Sequence, residues 1–174
     1  MKRIVNILAS IFLIASAFTC DGPLGSEGGI TKPGKDKNKH LQEKMLGEWQ
    51  LIEMSSYSTL PADVYIIFNE DGTFDLFQKV GDVARYSKLS GIYTLTGSIL
   101  TGEYNDGEEL ASAYRLSLEE DVLVMTAVVL DAEGAIVVDD IETLKYTKAC
   151  LSQEEKNDAN VITKSTDSEL FYVL

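Results

Sequence analysis

The residues of this sequence that could carry chemistry are two cysteines, Cys20 and Cys150, and a single histidine, His40. His40 lies in a polar stretch ahead of the first strand pattern. We therefore expect no Ser-His or Cys-His pair inside the folded domain, and no zinc site built on His and Cys. These residues predict a protein that is not an enzyme and that has no cofactor and no metal site.

Acidic side chains outnumber basic ones by 28 to 15, which gives a formal net charge of −13. Such a chain is repelled by nucleic acid, so nucleic-acid binding is excluded. Asp and Glu scattered over an acidic surface are typical of solvated faces. A hydrolase with paired carboxylates is the remaining enzymatic alternative, because spacing alone does not test it.

The N-terminus has the three parts of an export signal. Lys2 and Arg3 are basic, residues 4–18 are mostly apolar, and small residues lead into Cys20. The apolar run is shorter than the ~20 residues of a membrane-spanning helix, although a retained transmembrane anchor remains the alternative.

Ala17-Phe18-Thr19-Cys20 resembles the lipobox of bacterial lipoproteins. This resemblance implies that residues 1–19 are removed and that Cys20 is acylated. It also implies a protein of the cell envelope, held on a membrane by lipid and expected at the outer membrane, on its periplasmic or its surface face. If Cys20 carries lipid, no disulfide framework is available within the chain. We then expect Cys150 to be a small apolar residue closing the domain, with an intermolecular disulfide or a reactive thiol as the alternative.

Composition divides the remaining chain into three parts. Residues 20–40 combine the lipidated cysteine with a Gly-, Pro-, Lys- and Asp-rich stretch that predicts a flexible tether. Residues 41–150 carry the domain, and one short helical turn, His40 to Met45, is expected before Gly47. In residues 151–174, Ser152 and Glu155 have the spacing of a capping box and predict a short helix over 153–159. The apolar end of this part, 171–174, is either docked on the domain or frayed.

From Gly47 onward, apolar and polar residues alternate over short runs separated by turn residues, which indicates β-strands. The predicted strands are 47–54, 63–69, 73–80, 90–96, 98–105, 112–118, 122–131 and 135–148. Short hairpin turns join most of them, so neighbours should pair antiparallel. We therefore predict an all-β fold, an eight-stranded antiparallel up-and-down barrel that closes on itself and removes its edges.

Gly47-Glu48-Trp49 opens the first strand in the manner of the lipocalin G-x-W motif. Its companions are Phe68 to Phe74 (FNEDGTF), Gly91 to Leu95 (GIYTL), Leu100-Thr101 and Leu144-Lys145-Tyr146. Together they resemble the lipocalin-like lipoprotein domains of Bacteroidota, and the likeness covers about residues 45–150. The resemblance implies a small antiparallel barrel that binds a small apolar molecule.

One departure concerns the motif tryptophan, which in lipocalins packs under an arginine from late in the chain. Here the candidates for that place are Lys145 and Lys148. A lysine can lie over Trp49, but it lacks the planar stacking of arginine.

The alternation places one face of every strand toward the barrel interior. The candidate ligand-binding residues on this face, in the interior or at the rim, are Trp49, Phe68, Phe74, Tyr93, Tyr104, Tyr114, Met125 and Tyr146. Eight strands leave room either for a filled core or for one small ligand, and the sequence leaves both open. The four tyrosines either ring a cavity mouth or pack with their hydroxyls reaching water. In the last strand, either Asp140 and Glu142 face inward with Leu144 or a bulge resets the alternation.

Two functions follow from this pattern. The leading hypothesis is a membrane-anchored module that binds a small apolar or amphipathic ligand. The alternative is a protein-interaction module, an accessory subunit or inhibitor with a packed barrel and an unknown protein partner. Its outer apolar residues would be Tyr57, Leu60, Tyr65, Phe77 and Tyr86.

Overall fold

The computed structural model describes residues 36–164 and residue 174. Helix α1 spans Asp36–Met45 and helix α2 spans Gln153–Asp158. The strands are β1 (Gly47–Met54), β2 (Ala62–Phe68), β3 (Thr73–Val80), β4 (Ser87–Thr96), β5 (Ile99–Tyr104), β6 (Ala113–Glu119), β7 (Val122–Leu130), β8 (Ile136–Lys148) and the short β9 (Asn160–Val161). All eight predicted strands are present, with ends within three residues of the prediction. The single helical turn expected from His40 was too short, because α1 begins at Asp36.

The first eight strands form one closed, antiparallel, up-and-down barrel, as predicted. Each strand pairs with the next one along the chain, and β8 pairs with β1 to complete the ring. Trp49 of β1 and Lys148 of β8 are register partners at this closure. Strand β9 adds a short parallel pairing to the edge of β4.

Because the strands alternate in direction, the barrel has two distinct ends. The end that we call the floor contains Gly47, Lys148 and the turn at residues 69–72. Two features stabilise this turn. Gly72 adopts a φ of 82°, and a carboxylate oxygen of Asp71 accepts a hydrogen bond from the backbone N–H of Thr73 at 3.0 Å. The opposite end, which we call the mouth, carries loops 55–61 and 105–112 and the β7–β8 turn.

Helix α1 covers the floor. Met45, at its end, is fully buried in the core, and Leu41 packs against the same core from one turn earlier. The indole Nε1 of Trp49 donates to the Met45 carbonyl oxygen at 2.6 Å. This bond satisfies both the buried indole N–H and a carbonyl at the end of the helix.

Helix α2 packs on the outside of the barrel. Ser152 and Glu155 form the expected capping box at its start. Just ahead of it, Leu151 forms a second buried cluster with Phe77 and Tyr86, and Tyr65 is packed against this cluster. We call this group the outer cluster.

The outer cluster corrects the surface predicted for a protein partner. Phe77 and Tyr86 are 2% and 5% exposed, because the chain around Leu151 covers them. Leu60 packs against the barrel core, while Tyr57 remains 47% exposed. The predicted aromatic patch is therefore mostly a packing surface of the domain itself.

Cys150 is a second correction. It is exposed, and it is part of a disulfide, so it is not the buried apolar residue that the sequence suggested. The other cysteine of the chain, Cys20, and the signal at residues 1–19 lie outside the described residues. Within the described residues, no helix has the length and apolar character needed to span a membrane.

Candidate functional site: the barrel mouth

The floor half of the barrel interior is filled by its own side chains. Five of the eight candidate ligand-binding residues are at most 1% exposed: Trp49, Phe68, Phe74, Met125 and Tyr146. Side chains that are this fully buried are in contact with neighbouring atoms on nearly all sides. Phe74 also makes an edge-on contact with Tyr104, with ring centroids 5.6 Å apart. In this half of the barrel, the interior is therefore a filled core and not a space for a ligand.

Lys148 completes the floor on its outer side. Its ammonium nitrogen lies 3.9 Å from the centre of the Trp49 ring and donates to the Leu46 carbonyl oxygen at 2.5 Å. Part of the side chain still contacts solvent, yet the partial burial of the ammonium lowers its pKa. Lys145, the other candidate, instead pairs with Glu53 at 2.8 Å.

Tyr93 belongs to the floor end and not to the mouth. Its hydroxyl donates to the carbonyl oxygen of Asn69 in the floor turn at 2.9 Å, and its ring meets Phe68 edge-on at 5.3 Å. Burial raises the pKa of Tyr93, and nearby Asp71 adds to this rise. Tyr93 and the deeply buried Tyr146 therefore do not ring a cavity mouth, whereas Tyr104 and Tyr114 do lie toward that end.

Several core residues toward the mouth retain some contact with solvent. Met54, Ala62 and Leu110 are each 9% exposed. Ala127 follows at 5% and Tyr114 at 4%.

Glu142 places a carboxylate at the mouth. It is the register partner of Ala127, which also pairs with Tyr114, so these three side chains share the inward face of neighbouring strands. The Glu142 carboxylate accepts a hydrogen bond from the Ser56 hydroxyl. The pKa of Tyr114 is raised to about 12, chiefly by burial and secondarily by the charge of Glu142.

Both alternatives considered for the last strand hold in part. Register breaks lie on either side of Val129 in the β7–β8 ladder, and Asp140 has a φ of 57°. This irregularity turns Asp140 outward, where its side chain is 73% exposed. Glu142, by contrast, keeps the inward parity of Leu144.

Leu174 occupies the mouth although it belongs to no barrel strand. Its side chain is fully buried within the barrel core cluster. Its carbonyl oxygen accepts from the Ala111 backbone N–H at 2.6 Å and from the Tyr104 hydroxyl at 3.2 Å. The end of the chain is therefore docked at this residue; residues 165–173 lie outside the described part.

β5 and β6 are the most weakly paired neighbours in the barrel, with register partners at Ile99–Arg115 and Leu100–Tyr114. The chain after α2 runs beside β4, where Asn160 and Val161 pair with Ser87 and Lys88. Lys164 donates to the Glu109 carbonyl oxygen at 2.8 Å and lies 5.1 Å from the centre of the Tyr104 ring.

A pocket of about 90 Å³ lies between this segment and the mouth ends of β4 and β5. It is lined by Leu89, Ser90, Tyr104, Asn105, Asp106 and residues 161–164. Pockets for organic ligands usually measure ~300 to 1,000 Å³. As it stands, this pocket suits a few water molecules or a very small group.

No group of three or more His, Cys, Asp or Glu side chains in the described part of the chain is arranged to hold a metal ion. The candidate site is thus a set of apolar walls with tyrosine hydroxyls and one carboxylate. Such groups bind and orient a molecule.

Comparison with known proteins supports the same architecture. Residues 45–125 match the model of a family described as a lipocalin-like domain. The match runs from the end of α1 into β7, and the structure adds the remainder of β7 and β8, which closes the ring. No curated protein matches the chain. Residues 45–125 are therefore similar to a lipocalin-like domain, and the chain is built as a closed eight-stranded up-and-down barrel.

Proposed function

We propose that this protein binds a small apolar or amphipathic molecule at the mouth of its barrel, and that the ligand takes the place of Leu174. The observation that carries the proposal is Leu174 itself, a residue outside the barrel strands that is fully buried in the barrel core. An apolar group is already accepted at this position. The apolar part of a ligand would occupy the same space, and its polar part would face Tyr114 and Glu142.

Displacing Leu174 has a cost that sets the expected affinity. Burying a leucine side chain contributes about 2 kcal/mol, and each of the two hydrogen bonds to its carbonyl contributes about 1 kcal/mol. A ligand that must replace all of these contacts binds nearly a thousandfold more weakly than it would to an open mouth, since each 1.4 kcal/mol is worth about tenfold.

The test uses N-phenyl-1-naphthylamine, an apolar fluorescent probe. Leu174→Ala removes the side chain from the mouth and should raise the affinity for the probe about tenfold. Leu151→Ala is the matched control, because Leu151 is also a buried leucine near the end of the chain but lies in the outer cluster. It should lower stability without raising affinity. Ala127→Phe should fill the mouth and abolish binding.

Circular dichroism at the titration temperature establishes that each variant is folded. Equal probe affinity for Leu174→Ala and Leu151→Ala would overturn the proposal, as would unchanged binding in folded Ala127→Phe. Native mass spectrometry of the purified protein, before and after solvent extraction, asks separately whether a natural ligand is carried.

The same proposal includes the lipid anchor at Cys20 and a place at the cell envelope, on the outer membrane. Its support is the N-terminal sequence pattern. A barrel held at a membrane would lie beside a store of apolar molecules. Acylation of Cys20 and a Cys20–Cys150 disulfide exclude each other, so the anchor requires that the disulfide at Cys150 be formed with a cysteine of another chain.

Intact mass measurement on protein isolated from membranes distinguishes the two. The anchor predicts loss of residues 1–19 and a mass increase for acyl chains that reduction leaves in place. It also predicts that Cys20→Ser abolishes acylation and releases the protein from the membrane. A protein that stays membrane-bound after this substitution, or a Cys20 found in a disulfide, would contradict the anchor.

A further inference from the structure

We infer that the hairpin formed by the ends of β7 and β8, residues 129–141, is a docking surface for a partner protein that presents an apolar groove flanked by basic side chains. This inference is independent of the ligand proposed for the mouth. It also places protein contact on a different surface from the aromatic residues that the sequence suggested.

The hairpin extends beyond the strands that flank it. The β1–β8 ladder ends at Met54–Leu144, and β6 begins at Ala113, which pairs with Val128. The hairpin is nevertheless well ordered at its tip. One carboxylate oxygen of Asp131 accepts from the backbone N–H groups of Glu133 and Ala135, at 3.1 and 2.8 Å. A preordered surface loses little conformational freedom on binding.

Apolar side chains are concentrated on this hairpin. Of the eleven large hydrophobic residues exposed in the described part of the chain, five lie within these thirteen residues. They are Val129 (44%), Ile136 (38%), Val137 (58%), Val138 (48%) and Ile141 (52%). Single exposed apolar residues are ordinary, but a contiguous group marks an interaction site.

The charge around these residues indicates what kind of partner binds the hairpin. Residues 129–141 contain four acidic side chains and no basic one: Asp131, Glu133, Asp139 and Asp140. Arg115 reaches over from β6 and pairs with Asp139 and Asp140. The remaining acidic groups favour a partner with basic residues. A second copy of this chain is disfavoured as the partner, because its hairpin carries the same acidic side chains and each chain has a net charge of −13, so the two copies would repel each other.

The geometry also favours recognition by side chains over addition of a strand. β8 departs from regular pairing on both sides of Val138, and Asp140 adopts a positive φ at the outer edge. Bulges and charged residues of this kind block edge-to-edge strand pairing. The partner would therefore receive Val137, Val138 and Ile141 in a groove.

The experiment combines a defined probe with matched variants. A synthetic peptide of alternating lysine and leucine is titrated into the purified protein by calorimetry, and an alternating glutamate and leucine peptide serves as the opposite-charge control. Val137→Thr with Val138→Thr removes exposed methyl groups at constant shape. Ile92→Thr is the matched control, since Ile92 is 50% exposed on β4 away from the hairpin.

We expect the lysine peptide to bind, to bind more weakly as salt rises, and to lose at least fivefold in affinity in the double hairpin variant but not in Ile92→Thr. Glu133→Lys should also weaken it. Equal binding of the glutamate peptide, or an equal loss in Ile92→Thr, would overturn the inference.

Crosslinking in cells that express the protein tests the natural partner. A photoreactive phenylalanine at position 137 should give a discrete protein adduct that is absent with the same group at position 92 and lost in Glu133→Lys. Adducts with a second copy or with lipid, or none at position 137, would contradict the inference. The double hairpin variant should leave the affinity for N-phenyl-1-naphthylamine unchanged, which separates this surface from the mouth.

Discussion

The ammonium of Lys148 lies 3.9 Å above the ring of Trp49 and, at the same time, donates to the Leu46 carbonyl oxygen. The two residues are register partners at the closure of the barrel, so the contact fastens the last strand to the first. A lysine thus fills the position that the lipocalin resemblance assigns to arginine.

Lys148→Ala should lower the free energy of unfolding by about 2 kcal/mol, because it removes a cation–π contact and a hydrogen bond to a backbone carbonyl. Lys148→Arg should retain most of this stability. Lys145→Ala, on the same strand, breaks an exposed ion pair with Glu53 and should cost less than about 1 kcal/mol. Urea unfolding followed by the fluorescence of Trp49, the single tryptophan, measures all three. An equal loss in Lys145→Ala and Lys148→Ala would contradict the assigned role.

Stability should fall at alkaline pH in part through Tyr114. Its pKa is about 12 in the folded protein and 10.0 in the unfolded chain. Between these values the unfolded state loses the proton first, so this contribution is complete below pH 10 and is lost as the pH rises toward 12, by about 3 kcal/mol in all. Tyr114→Phe should flatten the decline between pH 10 and 12. The free energy of unfolding of each protein is expressed relative to its own value at pH 7, which removes the effect of the substitution on packing. If the free energy of unfolding of Tyr114→Phe fell as steeply between pH 10 and 12 as that of the original protein, the raised pKa of Tyr114 would be contradicted.

Gly91→Ala should destabilise the barrel by about 3 kcal/mol or more, because its added methyl group would meet the Glu103 carbonyl oxygen and lie 2.5 Å from the Phe74 ring. Gly134→Ala is the control. Its methyl group meets nothing within 4 Å, and its cost is the strain of a φ of 82°, about 1 kcal/mol. Thermal unfolding of both variants tests the difference, and a smaller loss for Gly91→Ala than for Gly134→Ala would refute the close packing of β4 against Phe74.

The outer cluster should contribute to the stability of the whole domain. Leu151→Ala removes a buried leucine from its contact with Phe77 and Tyr86 and should cost about 2 to 3 kcal/mol. Val161→Ala, ten residues further along and 79% exposed, should change stability by less than about 0.5 kcal/mol. Denaturant unfolding compares them. If both variants had the same free energy of unfolding as the original protein, the chain after the barrel would not unfold cooperatively with the barrel.

Much of the barrel could be predicted from the sequence because its information is local. Alternation with period two places Leu123, Met125 and Ala127 on the inward face, and all three are buried in the core. The tight turns, such as the one at Gly72, make neighbouring strands antiparallel. Closure followed from the need to remove two exposed edges, and the pairing of β8 with β1 confirms it.

The candidate site was less predictable, because position along the barrel axis depends on strand register. Tyr93 and Tyr104 share inward parity, yet Tyr93 bonds to the floor turn and Tyr104 to Leu174. Alternation could not separate them. The docking of Leu174 likewise depends on contacts with residues more than sixty positions away, which carry no local signal.

By itself, the sequence determined the class of fold, the eight strands of the barrel, the inward face and the capped helix at Ser152, since each is set by neighbours a few residues apart. Only the tertiary structure decided which end of the barrel is sealed, which lysine covers Trp49 and which apolar residues remain exposed. Phe77 and Tyr86 are buried because the chain after Cys150 folds back over them. Val137 and Val138 are exposed because the β7–β8 hairpin extends beyond the strands on either side of it. Such outcomes arise from packing between distant segments, for which the sequence supplies composition but no geometry.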